Sequence, residues 1–282
     1  MRTSGILIGL MAVGAAAMAA GPASDVTPAT TSVAARRNAV QSIPFDKLDD
    51  DARRKVDSVL SNITVYRRLP VRTVSCDPDL YLFLVRHPDV VVNMWEVLGI
   101  AQLQLREAGP DTYRVVEKEG TAAMLQLLYR SNDLHVVYSE WTYTGPLLAR
   151  KINGRCLAIL KSTYSRDEEG RYSITSRLDG FMHVDPGGGE LLTKTLQPLV
   201  VKNADTNFIQ TLGFVGSVQH TAEVNGRGMQ RFATKLEHVQ PATRQQFAQV
   251  VGDVSDRAAA RTADQRNSGE PARLASRPSP DR

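Results

Sequence analysis

The chain has 282 residues, of which 42% are apolar, and its 34 lysine and arginine residues against 30 aspartate and glutamate residues give a net charge of +4. This apolar content is sufficient for an ordinary buried core and excludes a chain that is disordered throughout. The basic residues are interspersed with acidic ones and form no basic cluster with interleaved aromatic residues, which argues against a nucleic-acid partner.

The first twenty residues have the composition of a secretory signal peptide. Arg2 precedes an uncharged run, residues 5–20, which is rich in Ala, Leu, Ile and Met and ends in the small-residue site Ala17-Met18-Ala19. The run is short for a membrane span, which needs about 20 strongly apolar residues, and no cysteine lies near the cut to receive a lipid anchor. We therefore expect residues 1–20 to be cleaved, leaving a soluble periplasmic or extracellular protein without a transmembrane segment.

Residues 21–44 are small, polar and proline-containing, and they predict a flexible leader. A helix is expected from residue 46 onward, because apolar residues recur at helical spacing opposite a strongly charged side. The apolar side consists of Leu48, Ala52, Val56, Val59 and Leu60. Two stretches with strand character, 63–66 and 71–75, then predict a bent first strand with Pro70 at an edge or bulge.

Two short helices should follow this strand. Asp77 is a suitable N-cap residue, and Pro78 fits the first helical position, where its missing N–H is not needed. His87-Pro88 interrupts the apolar pattern, and a second apolar run continues to Gly99. The pattern therefore predicts two helices that meet at Pro88.

Six further segments with strand character come next, separated by turn residues such as Gly109-Pro110-Asp111 and Ser131-Asn132-Asp133. These segments are 102–107, 113–118, 121–130, 134–143, 155–164 and 172–184. Short connections between successive strands favour an antiparallel arrangement.

Alternation along the strands predicts which side chains face the concave side of the sheet. On the segments 121–130 and 134–143 this side would carry Ala123, Leu125, Leu127 and Tyr129, then His135, Val137, Ser139, Trp141 and Tyr143. On the last strand we place Tyr172, Ile174, Leu178 and Met182 inward, and Arg177, Asp179, Phe181 and His183 on the other face.

The C-terminal part is expected to be helical. Asp185-Pro186 could start a helix that properly begins at Glu190 and bends or breaks at Pro198. A second helix should run from residue 205 to about residue 223, with its inward side formed by Phe208, Leu212, Val215, Val218 and Ala222. Residues 241–282 have few apolar residues and predict a largely disordered tail, with at most one weak helix over 242–260.

The order of one strand, two helices, six strands and a long helix, together with the Asp77–Trp95 stretch, resembles the START-like helix-grip superfamily, which includes polyketide cyclases and lipid-transfer domains. The resemblance implies an α+β fold in which a seven-stranded antiparallel sheet curves around a long C-terminal helix. The domain would span residues 45–240, with the helix near residue 50 as an additional N-terminal element.

The resemblance also implies a cavity between sheet and helix that is apolar with a few polar groups. The residues expected to line this ligand pocket are Trp95, Tyr129, His135, Ser139, Trp141, Tyr143, Leu212 and Val215. The alternative is that these side chains form an ordinary filled core.

Other kinds of site find little support in the sequence. The five histidines form no HExxH pattern, so we expect no metal site, and we expect no cofactor. An exported protein could join Cys76 to Cys156, but in the predicted topology the thiols lie about 25 Å apart, beyond the roughly 7 Å between Cα atoms that a disulfide tolerates. We therefore favour free thiols.

The function predicted from these observations is non-enzymatic binding of a hydrophobic or amphipathic, lipid-like small molecule by an exported protein. One alternative is a structural or interaction protein with a filled core. A second is a cyclase or aromatase type of enzyme, which the resemblance includes but for which the sequence shows no acid–base pair.

Overall fold

A computed structural model of the chain describes residues 27–101, 103–118, 120–145, 151–186 and 197–268, without the side chains of 197–202 and 265–268. Its strands are β1 (Val65–Arg68), β2 (Arg72–Ser75), β3 (Leu103–Gly109), β4 (Thr112–Glu117), β5 (Thr121–Arg130), β6 (Leu134–Tyr143), β7 (Ile152–Arg166) and β8 (Tyr172–Val184). They form a curved antiparallel sheet in the order β1-β8-β7-β6-β5-β4-β3, with β2 also paired to β8. The predicted α+β class and antiparallel sheet are confirmed.

The predicted first strand is divided into β1 and β2. Both segments pair with β8, and the backbone N–H of Leu69 between them still donates to the carbonyl of Leu178. Pro70 has no N–H to donate to the sheet, so the ladder is interrupted where the proline was predicted to bend it. The break explains why eight segments are present where the sequence predicted seven strands.

The two short helices occur as predicted. Helix α3 (Pro78–Arg86) begins with an N-cap bond from the backbone N–H of Asp79 to the Asp77 carboxylate, and α4 (Pro88–Val97) begins at the second proline. Both helices turn apolar residues towards the concave side of the sheet. The chain therefore covers one end of the concave side before the sheet continues at β3.

The long helix α5 (Gln197–Ala233) lies against the same concave side. Its predicted inward residues Phe208, Leu212, Val215, Val218 and Ala222 are all buried. Val74 of β2 approaches closely at Gly216, where an added Cβ would lie 2.8 Å from the Val74 side chain, whereas nothing lies within 4 Å of such an atom at Gly213. The sequence predicted a bend or break at Pro198 and a second helix from residue 205. In the described residues the helix instead runs through Pro198 without a break and is kinked at Asn225.

A second hydrophobic core covers the convex side of the sheet. Helices α1 (Val33–Gln41) and α2 (Asp50–Leu60) pack there against residues of β1, β6, β7 and β8. The sheet contributes Tyr66, Leu134, Val136, Tyr138, Leu157, Ile159 and Phe181 to this core. The central strands are therefore buried on both faces, while β3 and β4 belong only to the concave core.

Two helices lie in segments for which the composition predicted flexibility. Helix α1 falls within the predicted leader, where Ser32 caps it by accepting a hydrogen bond from the backbone N–H of Ala35. Helix α6 (Pro241–Ser268) occupies much of the predicted tail and buries Phe247, Val251 and Val254. These three residues recur at spacings of four and three, a helical pattern that the surrounding Ala, Gln and Arg residues obscured.

The predicted signal peptide and the predicted helix start at Glu190 lie outside the described residues. Within the part of the chain that is described, no helix is both long and apolar enough to cross a membrane.

Candidate functional site

A cavity of about 150 Å³ lies on the concave side of the sheet, between β3–β8 and the helices α3, α4 and α5. Most of its wall is aliphatic or aromatic. The lining comprises Tyr81, Leu84, Val85, Arg86, Pro88, Val91, Val92, Trp95, Leu103, Leu105, Tyr113, Leu125, Leu127, His135, Val137, Ala158, Leu160, Leu178, Phe208, Thr211, Leu212 and Val215.

The helical part of the wall follows from the positions of the two prolines and the long helix. Pro88 starts α4 so that Val91, Val92 and Trp95, at helical spacing, face the sheet. The Trp95 ring makes an edge contact with Phe214 of α5, with 5.8 Å between ring centroids. This contact joins the two helices that close the cavity opposite the sheet.

Three of the polar residues in the lining already have hydrogen-bond partners in the protein. The Tyr81 hydroxyl lies 2.7 Å from Ser162 Oγ and 2.8 Å from Ser176 Oγ. The Tyr113 hydroxyl donates to the carbonyl of Arg86, and Thr211 Oγ1 donates to a carbonyl of its own helix. These hydrogen bonds hold the three side chains in place and use most of their hydrogen-bonding capacity.

His135 differs from these residues. Its side chain is 1% exposed, and neither ring nitrogen has a hydrogen-bond partner within the described residues. Burial, together with the positive charges of Arg86 and Arg130, lowers the pKa of His135 to about 4, against a smaller opposing effect of Asp133. The imidazole is therefore neutral at pH 7, with one N–H donor and one nitrogen acceptor.

Arg86 is the second polar lining residue with an unmet group. Its Nη2 atom donates to the carbonyl of Ser131 and, at 3.0 Å, to the side chain of Asn132. Its Nε atom is buried and has no partner among the described residues. A buried donor without an acceptor lowers the free energy of unfolding by about 1–3 kcal/mol. Arg86 and His135 therefore both destabilise the fold as long as no acceptor is present.

The structure brings together four of the eight residues predicted for the pocket. Trp95, His135, Leu212 and Val215 line the cavity. Ser139, Trp141 and Tyr143 are buried further along β6 and do not line it. The Trp141 ring instead covers Gly154, where an added Cβ would lie 2.4 Å from a ring atom.

Tyr129 lies on the opposite side of the sheet from the one predicted. The pairing of β5 with β6 shifts between Leu127 and Tyr129, so that Tyr129 pairs with Val136 and packs against the convex core. A bulge inserts one residue into the strand and reverses the alternation beyond it. Leu125 and Leu127, which precede the shift, line the cavity as the alternation predicted.

Sequence reasoning missed Arg86, Tyr81 and Tyr113 as parts of the site. Arg86 lies at the end of α3, just before the His87-Pro88 interruption. The sequence analysis assigned Arg86 no role. A clue was available, because a helix that ends against a sheet can extend a long side chain across that sheet.

The cysteines and the acidic residues offer no obvious alternative centre. Cys76 and Cys156 are both buried free thiols, and burial raises the pKa of Cys156 to about 12. In the described ranges, no group of three or more His, Cys, Asp or Glu residues is arranged to hold a metal ion.

Comparison with known proteins gives only weak similarities. No protein-family model matches the chain, and no curated protein matches it. Among solved structures, a conserved protein from Geobacillus kaustophilus is 10% identical with a TM-score of 0.38, over 54% of this chain and 95% of that one. A hypothetical protein from Helicobacter pylori is 6% identical with a TM-score of 0.36, over 57% of this chain and 93% of that one.

A third similar structure is the di-domain ARO/CYC protein BexL of the BE-7585A biosynthetic pathway. It is 17% identical with a TM-score of 0.31, over 56% of this chain and 52% of that one. Similarities this low establish no shared function. The START-like superfamily therefore remains a resemblance in the order of elements.

Proposed function

We propose that this protein binds a small hydrophobic molecule in the cavity between the sheet and α5, without catalysing a reaction on it. The observation that supports the proposal is the cavity itself, which is lined mainly by aliphatic and aromatic side chains in an otherwise packed core. Protein interiors are normally close-packed, and a cavity whose wall is mainly apolar can take up apolar molecules.

The size of the cavity limits the molecule. A volume of about 150 Å³ is in the range of engineered cavities that accept benzene. It matches a single ring or a short branched chain rather than a complete membrane lipid. The proposed ligand is therefore smaller than the lipid-like molecule expected from the sequence.

Binding is favoured over catalysis by the surroundings of His135. A general base normally has a third group that orients it through a hydrogen bond. Neither nitrogen of His135 has such a partner within the described part of the chain. The alternative of a protein with a completely filled core is disfavoured by the cavity.

The test is to fill the cavity from its helical side. In Val215→Phe the added ring would occupy the space between α5 and the sheet, so we expect the affinity for toluene to fall at least tenfold, while the protein remains folded. Val224→Phe is the matched control, because Val224 lies on the same helix and is 69% exposed. Isothermal titration with toluene measures both.

The wild type and Val224→Phe should bind toluene equally well. Absence of binding by the folded wild type, or equal binding by Val215→Phe, would contradict the proposal and leave the filled-core alternative.

A further inference from the structure

The cavity has one polar corner in an otherwise apolar wall. Arg86 and His135 both line it, and both have buried nitrogen atoms without a hydrogen-bond partner among the described residues. The remaining polar residues of the lining, Tyr81, Tyr113 and Thr211, are satisfied by the protein. Among the fully buried polar atoms of the described lining, those without a partner therefore belong to these two side chains.

One arginine side chain in this corner, that of Arg86, has no ion-pair partner among the described residues. Arg130 is paired with Asp111 at 2.7 Å, and Asp133 accepts a hydrogen bond from the Ser131 hydroxyl at 2.6 Å. Arg86 has no carboxylate partner among the described residues, and its Nη2 atom contacts only neutral oxygen atoms. No carboxylate of the described residues therefore contacts the Arg86 guanidinium directly, although the charge of Asp133 also faces the His135 ring.

We propose that the ligand is a small hydrophobic molecule with a carboxylate group, to which Arg86 Nε and the N–H of His135 donate hydrogen bonds; this inference rests on the proposed function. Bonds from an arginine to a carboxylate are the strong, charge-assisted kind, and both donors gain an acceptor on binding. The apolar part of the ligand lies against Trp95 and Leu212, on the helical side of the cavity.

The geometry also explains why a histidine is compatible with this position. The charged groups that face the His135 ring are Arg86, Arg130 and Asp133. A protonated imidazole would be repelled by the positive charge of Arg86. The neutral ring still donates one hydrogen bond at pH 7. It therefore adds a donor without adding a second positive charge in the apolar wall.

The experiment compares benzoate with toluene, which has the same ring but no carboxylate, by isothermal titration at pH 7. The wild type should bind benzoate at least tenfold more tightly than toluene, since bonds to a charged group contribute more than neutral ones. His135→Phe and Arg86→Met should each weaken benzoate binding by about tenfold or more, and neither should weaken toluene binding.

Matched controls are His220→Phe and Arg114→Met, because both residues are exposed. These variants should bind both probes like the wild type. Thermal unfolding without ligand checks the fold, and His135→Phe should be at least as stable as the wild type because it removes unsatisfied buried nitrogen atoms.

Four results would overturn the inference. Equal affinity for benzoate and toluene in the wild type would show that the corner does not recognise a carboxylate, while the proposed hydrophobic binding would still stand. If His135→Phe or Arg86→Met weakened the binding of benzoate and of toluene by the same factor, the substituted residue would have a packing role. Tighter binding of phenol than of benzoate would assign a neutral hydroxyl to the site, and binding of none of the probes would remove the proposed function as well.

Discussion

Asp89 is a buried carboxyl group in the first turn of α4. It is 3% exposed, and its Oδ1 atom has no hydrogen-bond partner in the part of the chain that the structure describes. Burial raises the pKa of Asp89 from 3.8 to about 6, and the charge of Glu107 adds to this effect against opposing bonds from nearby backbone N–H groups. Ionisation of Asp89 therefore opposes folding.

This shift predicts the direction of a pH dependence. The Asp89 contribution leaves the protein most stable below the ordinary pKa of 3.8, and stability falls as the pH rises through about 6. The loss should amount to about 3 kcal/mol above that pH. Asp89→Asn, which mimics the protonated form, should therefore be about 2–3 kcal/mol more stable than the wild type at pH 7 and similar to it at pH 4.

Urea unfolding of both proteins at pH 4, 5, 6 and 7 measures the difference. The control is Asp50→Asn, since Asp50 is also in the first turn of a helix but its side chain is 89% exposed. A stability difference for Asp89→Asn that does not change with pH would show that Asp89 titrates normally in the folded protein.

Some residues of the candidate site could be predicted from the sequence and others could not. Strand alternation placed His135 and Val137 on the concave face, where both line the cavity, because β6 keeps its register with β7 over its length. The same rule failed for Tyr129, because nothing in the sequence signalled the shift after Leu127. Arg86 was missed since an arginine at the end of a helix is usually in water.

The packing of Phe247 tests whether helix α6 belongs to the core. Phe247 is fully buried and stacks on Phe83 of α3, with 5.7 Å between ring centroids and 20° between ring planes. Phe247→Ala should cost about 3–5 kcal/mol of unfolding free energy, as is usual for truncation of a buried aromatic residue.

Gln246→Ala is the matched control, because the neighbouring Gln246 is exposed on the same helix. Denaturant unfolding of both variants against the wild type gives the two values. A cost below about 1 kcal/mol for Phe247→Ala would indicate that α6 is not part of the core, in line with the disordered tail that the composition favoured.

Elements with strong local signals were the ones that the sequence predicted well. The proline-initiated helices α3 and α4 and the hairpin strands β3 and β4 have turn or capping residues at their ends. Helix α6 depends instead on tertiary packing, because only a few apolar residues hold it against α3 and α5. Such a helix is difficult to distinguish from a polar tail by composition.

Export is a prediction about the whole molecule. The apolar run after Arg2 and the alanines at positions 17, 19 and 20 predict cleavage close to Ala20. Mass spectrometry of the protein from the soluble periplasmic or extracellular fraction should therefore find a chain that begins near this residue. Leu10→Arg places a charge in the apolar run and should leave uncleaved precursor inside the cell. Membrane-bound protein with an intact Met1 would contradict export with cleavage.

The unequal covering of the sheet has a consequence for how the proposed ligand would reach the cavity. Strands β6, β7 and β8 are held by apolar side chains on both faces, whereas β3 and β4 are held on the concave face alone and expose Val116 on the other. Local opening requires the least free energy where the fewest buried contacts are broken. The edge formed by β3 and β4 contributes Leu103, Leu105 and Tyr113 to the cavity wall. We therefore expect this side to open most easily, while the opposite half of the sheet keeps the rest of the cavity wall in place.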